Sequence, residues 1–272
     1  NGGLWLRTRP PARPGAEKDR PEHHRRGGTS PGAEWLYGRN AVQESLRAGR
    51  RRHRRLLVSD AAELKERVDA IAQLAASCGV RIEVVPRHRL DEQIIGHHQG
   101  VALETSPYDY SESLDLQMLA SNSATLLVLD GLVDPQNVGT LMRSAEVTGV
   151  SAVVIPTDRA AAITPSVVNA SAGAVEHLMI RQEVNLTRWL QRAKDAGFWV
   201  VGLAGEEDAE PLFDVSMHPP VVVVVGSEGA GLRRLVRESC DIIAAIPMVG
   251  RIESLNAAVA GSIALYEVVR DR

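Results

Sequence analysis

Short segments without a polar residue recur through the C-terminal half of this 272-residue sequence, and the five consecutive valines at 221–225 are the clearest of them. Segments with apolar residues at helical spacing lie between them. Strands that helices cover on both faces have this all-apolar character, whereas strands with one exposed face alternate. The sequence therefore predicts an α/β fold with a parallel sheet. The predicted strands are 125–129, 152–155, 177–180, 199–203, 221–225 and 242–246, and the predicted helices are 138–148, 165–173, 186–196, 232–239 and one from 255.

The composition changes along the chain and predicts two folded domains. Residues 1–33 are rich in Pro, Gly and Arg without apolar periodicity, which predicts a disordered basic tail. Residues 34–105 alternate helical and extended patterns and predict a small α/β domain. Residues 106–122 are polar and predict a linker, and residues 123–272 form the second domain. The elements predicted in the first domain are a helix from 36 that ends at Gly49, strands at 56–58 and 80–85, helices at 63–77 and 90–95, and a strand entered from 97–103.

Charge is distributed unevenly between the two ends of the chain. Residues 1–59 hold fourteen Lys and Arg against five Asp and Glu, whereas residues 122–272 hold twelve against eighteen. A basic half attracts a polyanion through phosphate contacts. The run 50–55 precedes a predicted strand, and an ordered loop of this kind favours RNA contact over a solubilising role. The candidate RNA-binding residues are Arg39, Arg50, Arg51, Arg52, Arg54 and Arg55.

Several classes of protein are disfavoured by the sequence. The longest apolar run, 221–225, has the length of a strand and not of a membrane span. Residues 1–26 lack the apolar core of a secretory signal, although a transit peptide stays possible. Cys78 and Cys240 are only two and lie far apart, so we expect free, buried, inert thiols and a cytoplasmic location.

The adjacent histidines His97 and His98 suggest a metal site. No Cys or further His lies at ligand spacing, so no metal site is expected. A loop that orients Gln99 or contacts RNA is the favoured interpretation.

Three loops follow predicted strands of the second domain, at 130–143, 226–232 and 246–256. Ligands of parallel sheets bind at the carboxyl ends of the strands. Glu228 stands where a dinucleotide fingerprint requires glycine, and its carboxylate would repel a pyrophosphate, so NAD is disfavoured. A structural role is the alternative for Arg143, which could form an ion pair with Glu146.

The same loops resemble three motifs of the SpoU (TrmH) branch of the SPOUT RNA 2'-O-ribose methyltransferases. The motifs are Asn137-Val-Gly-Thr-Leu-Met-Arg143, Val225-Gly-Ser-Glu-Gly-Ala-Gly-Leu232, and Ile246-Pro-Met followed by Ser254-Leu-Asn256. Tyr37-Gly38 and His98-Gln99-Gly100-Val101 resemble the N-terminal substrate-binding domain of the ribosomal RNA guanosine subgroup. The sequence departs from the family at Arg251-Ile252-Glu253 and at Ala258, where serine is frequent.

The resemblance implies a fold, a cofactor and a site. The second domain would carry a trefoil knot and form a homodimer, and the first would have the fold of a group of large-subunit ribosomal proteins. S-adenosylmethionine would bind in the knot, and the reaction would be 2'-O-methylation, with guanosine of large-subunit ribosomal RNA as the expected substrate. Alternatives are a transfer RNA guanosine methyltransferase and a non-catalytic RNA-binding protein. The implied catalytic residues are Asn137, Arg143, Glu228 and Asn256, and the implied cofactor-binding residues are Gly205, Gly226, Ile246, Met248 and Leu255.

The role of Arg143 can be narrowed by chemistry. A guanidinium is protonated at any accessible pH, so it is a poor general base. We expect Arg143 to hold a phosphate next to the reacting ribose.

Overall fold

The structure of the protein is a computed structural model that describes residues 32–61, 65–205, 209–251 and 254–270. The predicted disordered tail therefore lies almost entirely outside the described residues. The chain builds two sheets, one from residues 34–105 and one from residues 125–245.

The N-terminal sheet has four strands in the order β1-β4-β2-β3, with β2 and β3 parallel and the other pairs antiparallel. The edge strand β1 was not predicted, because its residues were assigned to the start of the helix. Trp35 and Leu36 are buried in this strand. The elements are β1 Glu34–Tyr37, α1 Arg39–Ala48, β2 His53–Ser59, α2 Lys65–Ser77, β3 Arg81–Val85, α3 Arg87–Gln93 and β4 Val101–Thr105.

The C-terminal sheet has seven strands in the order β7-β6-β5-β10-β8-β11-β9, and every pair is parallel. The predicted parallel sheet is confirmed. The elements are α4 Leu116–Ser121, β5 Thr125–Asp130, α5 Pro135–Val147, β6 Ala152–Pro156, α6 Pro165–Ala170, β7 Ile180–Glu183, α7 Leu186–Asp195, β8 Trp199–Leu203, β9 Glu210–Pro211, β10 Val221–Gly226, α8 Arg234–Arg237, β11 Ile242–Ala245 and α9 Ala257–Val269.

Two details of this sheet differ from the sequence prediction. The strand predicted at 177–180 is displaced, because Ala174–His177 forms a short 3-10 helix and β7 begins at Ile180. The short strand β9 was not predicted at all. It extends the sheet beyond β11 by only two residues, too few to give a periodic pattern.

Helices cover both faces of the C-terminal sheet, as the all-apolar strands require. One face packs against α5, α6 and α9, and its hydrophobic cluster continues into the N-terminal domain. The other face packs against α7 and α8. The two domains therefore share a continuous core.

A buried ion pair crosses the boundary between the domains. Arg51, in the loop before β2, has no exposed side-chain surface, and its NH2 nitrogen lies 2.9 Å from Oε1 of Glu176, which is equally buried. Its NH1 nitrogen binds Glu34 at 2.8 Å. Ser45 on α1 donates to Glu176 and contacts His53 Nε2 at 3.2 Å. These groups fix the N-terminal domain on the 3-10 helix.

The two cysteines have different environments. Cys240 is partly buried, and burial raises the pKa of its thiol to about 12. This agrees with the expected inert thiol. Cys78 is exposed, so its predicted burial was wrong. It directly follows the last residue of α2, and its Sγ lies 3.8 Å from the carbonyl oxygen of Leu46 on α1.

Candidate active site

Three polar side chains from distant parts of the chain meet at the carboxyl edge of the C-terminal sheet. Asn137 Nδ2 donates to Glu228 Oε1 at 2.9 Å, and Asn256 Nδ2 donates to Asn137 Oδ1 at 2.8 Å. Asn256 Nδ2 also lies 2.5 Å from Glu228 Oε1. Oε2 of Glu228 makes no hydrogen bond within the described residues. We refer to Asn137, Glu228 and Asn256 as the polar network.

Helix capping holds two members of the polar network. Asp134 caps α5 by accepting from the backbone N–H groups of Gln136 and Asn137, and Pro135 occupies the first helical position. Asn256 caps α9, because its Oδ1 accepts from the N–H groups of Ala258 and Val259. Its Nδ2 is thereby turned toward Asn137 and Glu228.

The loop after β10 is closed upon itself and presents Glu228. Ser227 and Gly231 exchange backbone hydrogen bonds of 3.0 and 2.9 Å. A Cβ on Gly226 would lie 2.3 Å from the carbonyl carbon of Gly231, so only glycine fits there. Gly229 and Gly231 have φ of 77° and 63°, in the left-handed region that favours glycine.

Asp130 and Arg233 anchor this loop, and neither was singled out in the sequence. Asp130 ends β5 and is 1% exposed; its two oxygens accept from the backbone N–H of Arg233 at 2.8 Å and from its Nε at 2.5 Å. The register pairs Asp130 with Gly226. The sequence did contain a signal for Asp130, since it is a charged residue at the end of an apolar strand, where the sheet binds its ligands.

The residues implied in cofactor binding lie on neighbouring strands. Gly226 ends β10, Gly205 lies two residues past β8, and Ile246 directly follows β11, and these strands are adjacent in the sheet. Gly205 is exposed, and a Cβ there would meet no atom within 4 Å. Met248 and Leu255 are 42% and 39% exposed. The described residues at the ends of these three strands thus offer open backbone and apolar side chains but no basic cradle for phosphates, which fits a nucleoside sulfonium better than a dinucleotide.

Arg143 does not join the polar network in this chain. It lies six residues beyond Asn137 on α5, about 9 Å along the axis and on another face. The side chain is exposed and makes no hydrogen bond or ion pair within the described residues, so the alternative pairing with Glu146 is absent there.

The basic run contributes fewer exposed cations than predicted. Arg51 cannot contact RNA, because it is buried in the ion pair with Glu176. Arg55 lies in β2, where it binds Glu104 at 2.6 Å and stacks on Trp35. Arg50 is partly buried, and its Nε donates to the Glu176 carbonyl.

Two arginines of the run stay exposed. Arg52 lies in the loop and Arg54 on β2, so half of the run is in a strand and not in the predicted loop. Arg39 is partly buried at the start of α1. The exposed pair is the part of the run that an RNA backbone can reach.

The motif around His98 has a structural explanation. His98 is buried, its Nε2 lies 2.9 Å from Asp91 Oδ1, and its Nδ1 accepts from the N–H of Gly100. Gln99 Oε1 then accepts from the backbone N–H of Arg39 at the start of α1. The loop therefore orients Gln99, one of the two predicted roles.

Metal and membrane sites are absent from the described parts of the chain. Residues 32–61, 65–205, 209–251 and 254–270 contain no group of three or more His, Cys, Asp or Glu that could hold a metal ion. No described helix has both the length and the hydrophobicity for crossing a bilayer.

Both domains of the chain are similar in sequence to known proteins. Residues 124–266 match the SpoU rRNA Methylase family, and residues 35–111 match a family described as RNA 2'-O ribose methyltransferase substrate binding. A Bacillus subtilis protein named for the TrmH family of tRNA/rRNA methyltransferases, YacO, is 38% identical over 88% of this chain and 96% of its own length. The Pseudomonas putida 23S rRNA (guanosine-2'-O-)-methyltransferase RlmB is 37% identical over 88% and 97%.

Solved structures agree with the sequence matches. The SpoU methyltransferase AviRb from Streptomyces viridochromogenes, crystallised with the cofactor AdoMet, has a TM-score of 0.72 and 26% identity, and the match covers 89% of this chain and 91% of AviRb. An RNA 2'-O ribose methyltransferase has a TM-score of 0.73 and 26% identity, with 89% of both chains covered. The predicted fold class, a knotted SPOUT domain with a small N-terminal α/β domain, is confirmed. The chain belongs to the SpoU rRNA methylase family.

Proposed function

We propose that the protein transfers a methyl group from S-adenosylmethionine to the ribose 2'-hydroxyl of a guanosine in large-subunit ribosomal RNA. The observation that carries this proposal is the convergence of Asn137, Glu228 and Asn256 beside the strands that bear the cofactor-binding residues. The AdoMet complex of AviRb supports the cofactor, and the P. putida relative supports the ribosomal RNA substrate.

Glu228 is the residue that contacts the reacting hydroxyl. Its Oε1 accepts from both asparagine amides, which fixes the carboxylate and leaves Oε2 as the remaining acceptor. Oε2 accepts a hydrogen bond from the 2'-hydroxyl and holds its proton as the oxygen attacks. When bound, the sulfonium supplies an electrophilic methyl. No covalent enzyme intermediate is needed, so orientation by these groups provides much of the acceleration.

The homodimer expected from the resemblance has a suitable surface. Side chains of α5, α9 and the segment before β10 form an open, mostly apolar groove that includes Thr140, Phe213, Val259, Ile263 and Tyr266. Phe213 and Tyr266 are 50% and 54% exposed. Large apolar side chains grouped in this way mark an interface between proteins.

Arg143 lies next to this groove, since it follows Thr140 by one helical turn. In a dimer paired through α5 and α9, its free guanidinium faces the partner. We place it against a phosphate of the RNA bound at the partner's polar network, where a bidentate contact stabilises the developing negative charge.

Exposed arginines of the N-terminal domain bind the RNA and hold it near the polar network. Arg52 and Arg54 supply phosphate contacts, and the low aromatic content of 4% leaves few stacking platforms. Binding should therefore depend on backbone charge and RNA shape and weaken strongly with salt. Transfer RNA is the second candidate substrate, because the name of the B. subtilis relative covers both RNA classes.

The test is a map of 2'-O-methylation in ribosomal and transfer RNA from cells with and without the gene, followed by methylation in vitro with the purified protein. We expect one guanosine of large-subunit RNA to lose its methyl group and the protein to restore it. Glu228→Gln should reduce the rate by about 100-fold or more, while Glu146→Gln, an exposed glutamate on α5, should retain it. A Glu228→Gln variant with full activity would refute the role of the carboxylate, and an unchanged methylation map would refute the proposed substrate.

A further inference from the structure

A second cleft opens at the carboxyl edge of the C-terminal sheet, on the side away from the cofactor-binding strands. Its volume is about 510 Å³. Pro156 at the end of β6 and Val184 just after β7 form apolar walls. Asp158, Arg159 and Arg233 supply the charged groups, and we refer to the whole as the β6–β7 cleft.

The β6–β7 cleft lies next to the polar network. The loop after β6 contacts the loop after β5, because Ala161 donates its backbone N–H to the Leu132 carbonyl at 2.9 Å. Arg233 joins the cleft to the end of β5 through its bonds to Asp130. Adjacent strands are about 4.8 Å apart, so the cleft is roughly 5–10 Å from the segment that follows β5 and leads into α5, the helix that holds Asn137.

The strand order fixes the sequence of sites along the edge. The segments at the ends of β8, β10 and β11 hold the cofactor-binding residues, the segments after β5 and β10 hold Asn137 and Glu228, and the segments at the ends of β6 and β7 hold most of the cleft. A methyl donor, a ribose and a group attached to that ribose would meet these sites in the same order. The base of the acceptor nucleotide and the phosphates that flank its ribose are the groups at that distance from the 2'-hydroxyl.

The charges of the cleft favour a base over a phosphate. Arg159 makes no hydrogen bond or ion pair within the described residues, and Arg233 has only its Nε and backbone N–H committed to Asp130. These two cations would suit an anion. Asp158, however, is an exposed carboxylate whose only described partner is the Thr157 hydroxyl at 3.4 Å, and it would repel a phosphate. A cleft with hydrogen-bond donors and an acceptor side by side suits a ligand that carries both acceptors and donors of hydrogen bonds.

We propose that the β6–β7 cleft binds the guanine of the acceptor nucleotide, with Asp158 accepting from N1–H and N2–H and Arg159 donating to O6 and N7. Guanine is the RNA base that presents two adjacent donors on one edge and two adjacent acceptors on another, as the pairing of arginine with guanine O6 and N7 in nucleic-acid complexes illustrates. Adenine offers no such donor pair. Asp158 is therefore the residue that determines specificity. The inference rests on the proposed methyl transfer to RNA and adds the base to it.

The experiment compares guanosine with inosine, which lacks only the 2-amino group. The RNA is a transcript containing the mapped target, with either base placed at the target by ligation of a synthetic fragment. A lost hydrogen bond to a charged group corresponds to a factor of about 10 to 100. We expect kcat/KM of the unaltered protein to fall by that factor on inosine, and Asp158→Asn to discriminate less than about threefold. Asp109→Asn, at another exposed aspartate, is the control and should discriminate like the unaltered protein.

The outcomes separate this inference from the proposed function. If the protein methylates no RNA at all, the proposed function fails. If it methylates a guanosine but Asp158→Asn keeps the full preference over inosine, or if the mapped target is not a guanosine, the cleft assignment is wrong while the methyl transfer stands. Arg159→Ala should lower kcat/KM about tenfold or more on both substrates, whereas Arg188→Ala, at an exposed arginine on α7, should not.

Discussion

Asn256 Nδ2 lies 2.8 Å from Asn137 Oδ1, although 119 residues separate the two asparagines. Each belongs to the first turn of a different helix, α5 or α9, or to its cap. The packing of α5 against α9 brings the two helix N-termini together beside Glu228. The polar network is thus a product of helix packing as much as of loop sequence.

The two functions of Asn256 can be separated by mutation. Asn256→Ser retains an oxygen for capping α9 but removes the donor to Asn137 and Glu228, so the free energy of unfolding should change by less than about 0.5 kcal/mol while methyl transfer falls strongly. Asn256→Ala removes both and should also destabilise by about 1 kcal/mol. Urea unfolding and single-turnover methylation measure the two effects. Equal activity of Asn256→Ser and the unaltered protein would contradict the role of the amide donor.

Gly205→Ala tests the cofactor position. Because a Cβ at Gly205 meets no protein atom within 4 Å, the thermal midpoint should stay unchanged. If S-adenosylmethionine packs on this backbone, the added methyl should raise its Kd about tenfold, equivalent to roughly 1.4 kcal/mol. Isothermal titration gives the Kd, and Gly250→Ala, which is equally open, is a comparison further along the edge. Unchanged affinity in Gly205→Ala would place the cofactor elsewhere.

Arg51 should prove to be a stability residue and not an RNA contact. Arg51→Met leaves the Glu176 carboxylate buried without its partner, which costs about 3–5 kcal/mol. Combining it with Glu176→Leu should recover most of that loss, since both charges are then removed. In contrast, Arg54→Ala should weaken RNA binding and leave urea unfolding unchanged. A stable Arg51→Met protein that fails to bind RNA would contradict this assignment.

His53 should make the stability dependent on pH. Burial lowers the pKa of His53, with smaller opposing and reinforcing contributions from Glu176 and Arg51. The unfolded chain therefore binds a proton at a higher pH than the folded chain, so stability is full above about pH 7 and declines as pH falls through 6.5 toward the lowered folded value. Urea unfolding between about pH 5 and pH 8 should show this slope. His53→Gln should flatten it, whereas His88→Gln, at an exposed histidine on α3, should not.

Tyr266→Glu tests the dimer. A charge in the groove between α5 and α9 should convert the protein to a monomer and abolish methyl transfer, because Arg143 then loses its position against the partner. Met118→Glu, at a side chain with the same 54% exposure on α4, should stay dimeric and active. Sedimentation velocity gives the state of each. A fully active Tyr266→Glu monomer would show that one chain contains the whole site.

The C-terminal parallel sheet was predictable because the sequences of its strands show that they are buried. Segments such as 221–225 have no polar residue, and this holds only for strands covered on both faces. Strand β1 was not predicted, because its four residues are too few to show the alternation of polar and apolar side chains that identifies a strand. The short strand β9 escaped for the same reason.

The site was predictable only through its motifs. Nothing in local spacing places Asn137 beside Asn256, since that contact depends on the strand order and on how α9 packs. For Arg51 the sequence prediction was wrong, because this residue was predicted to contact RNA and is instead buried against Glu176. A run of arginines does not indicate which member turns inward, and Glu176, which selects Arg51, lies 125 residues away.

The continuous core between the domains limits which RNA molecules can react. Because apolar packing and the pair of Arg51 with Glu176 join the N-terminal domain to the sheet, Arg54 stays at a set separation from Glu228. Under the proposed function, an RNA bound at Arg54 presents to Glu228 only a ribose at that same separation. We therefore expect substrate choice to depend on the fold of the RNA, so that a guanosine in a differently folded RNA is not methylated.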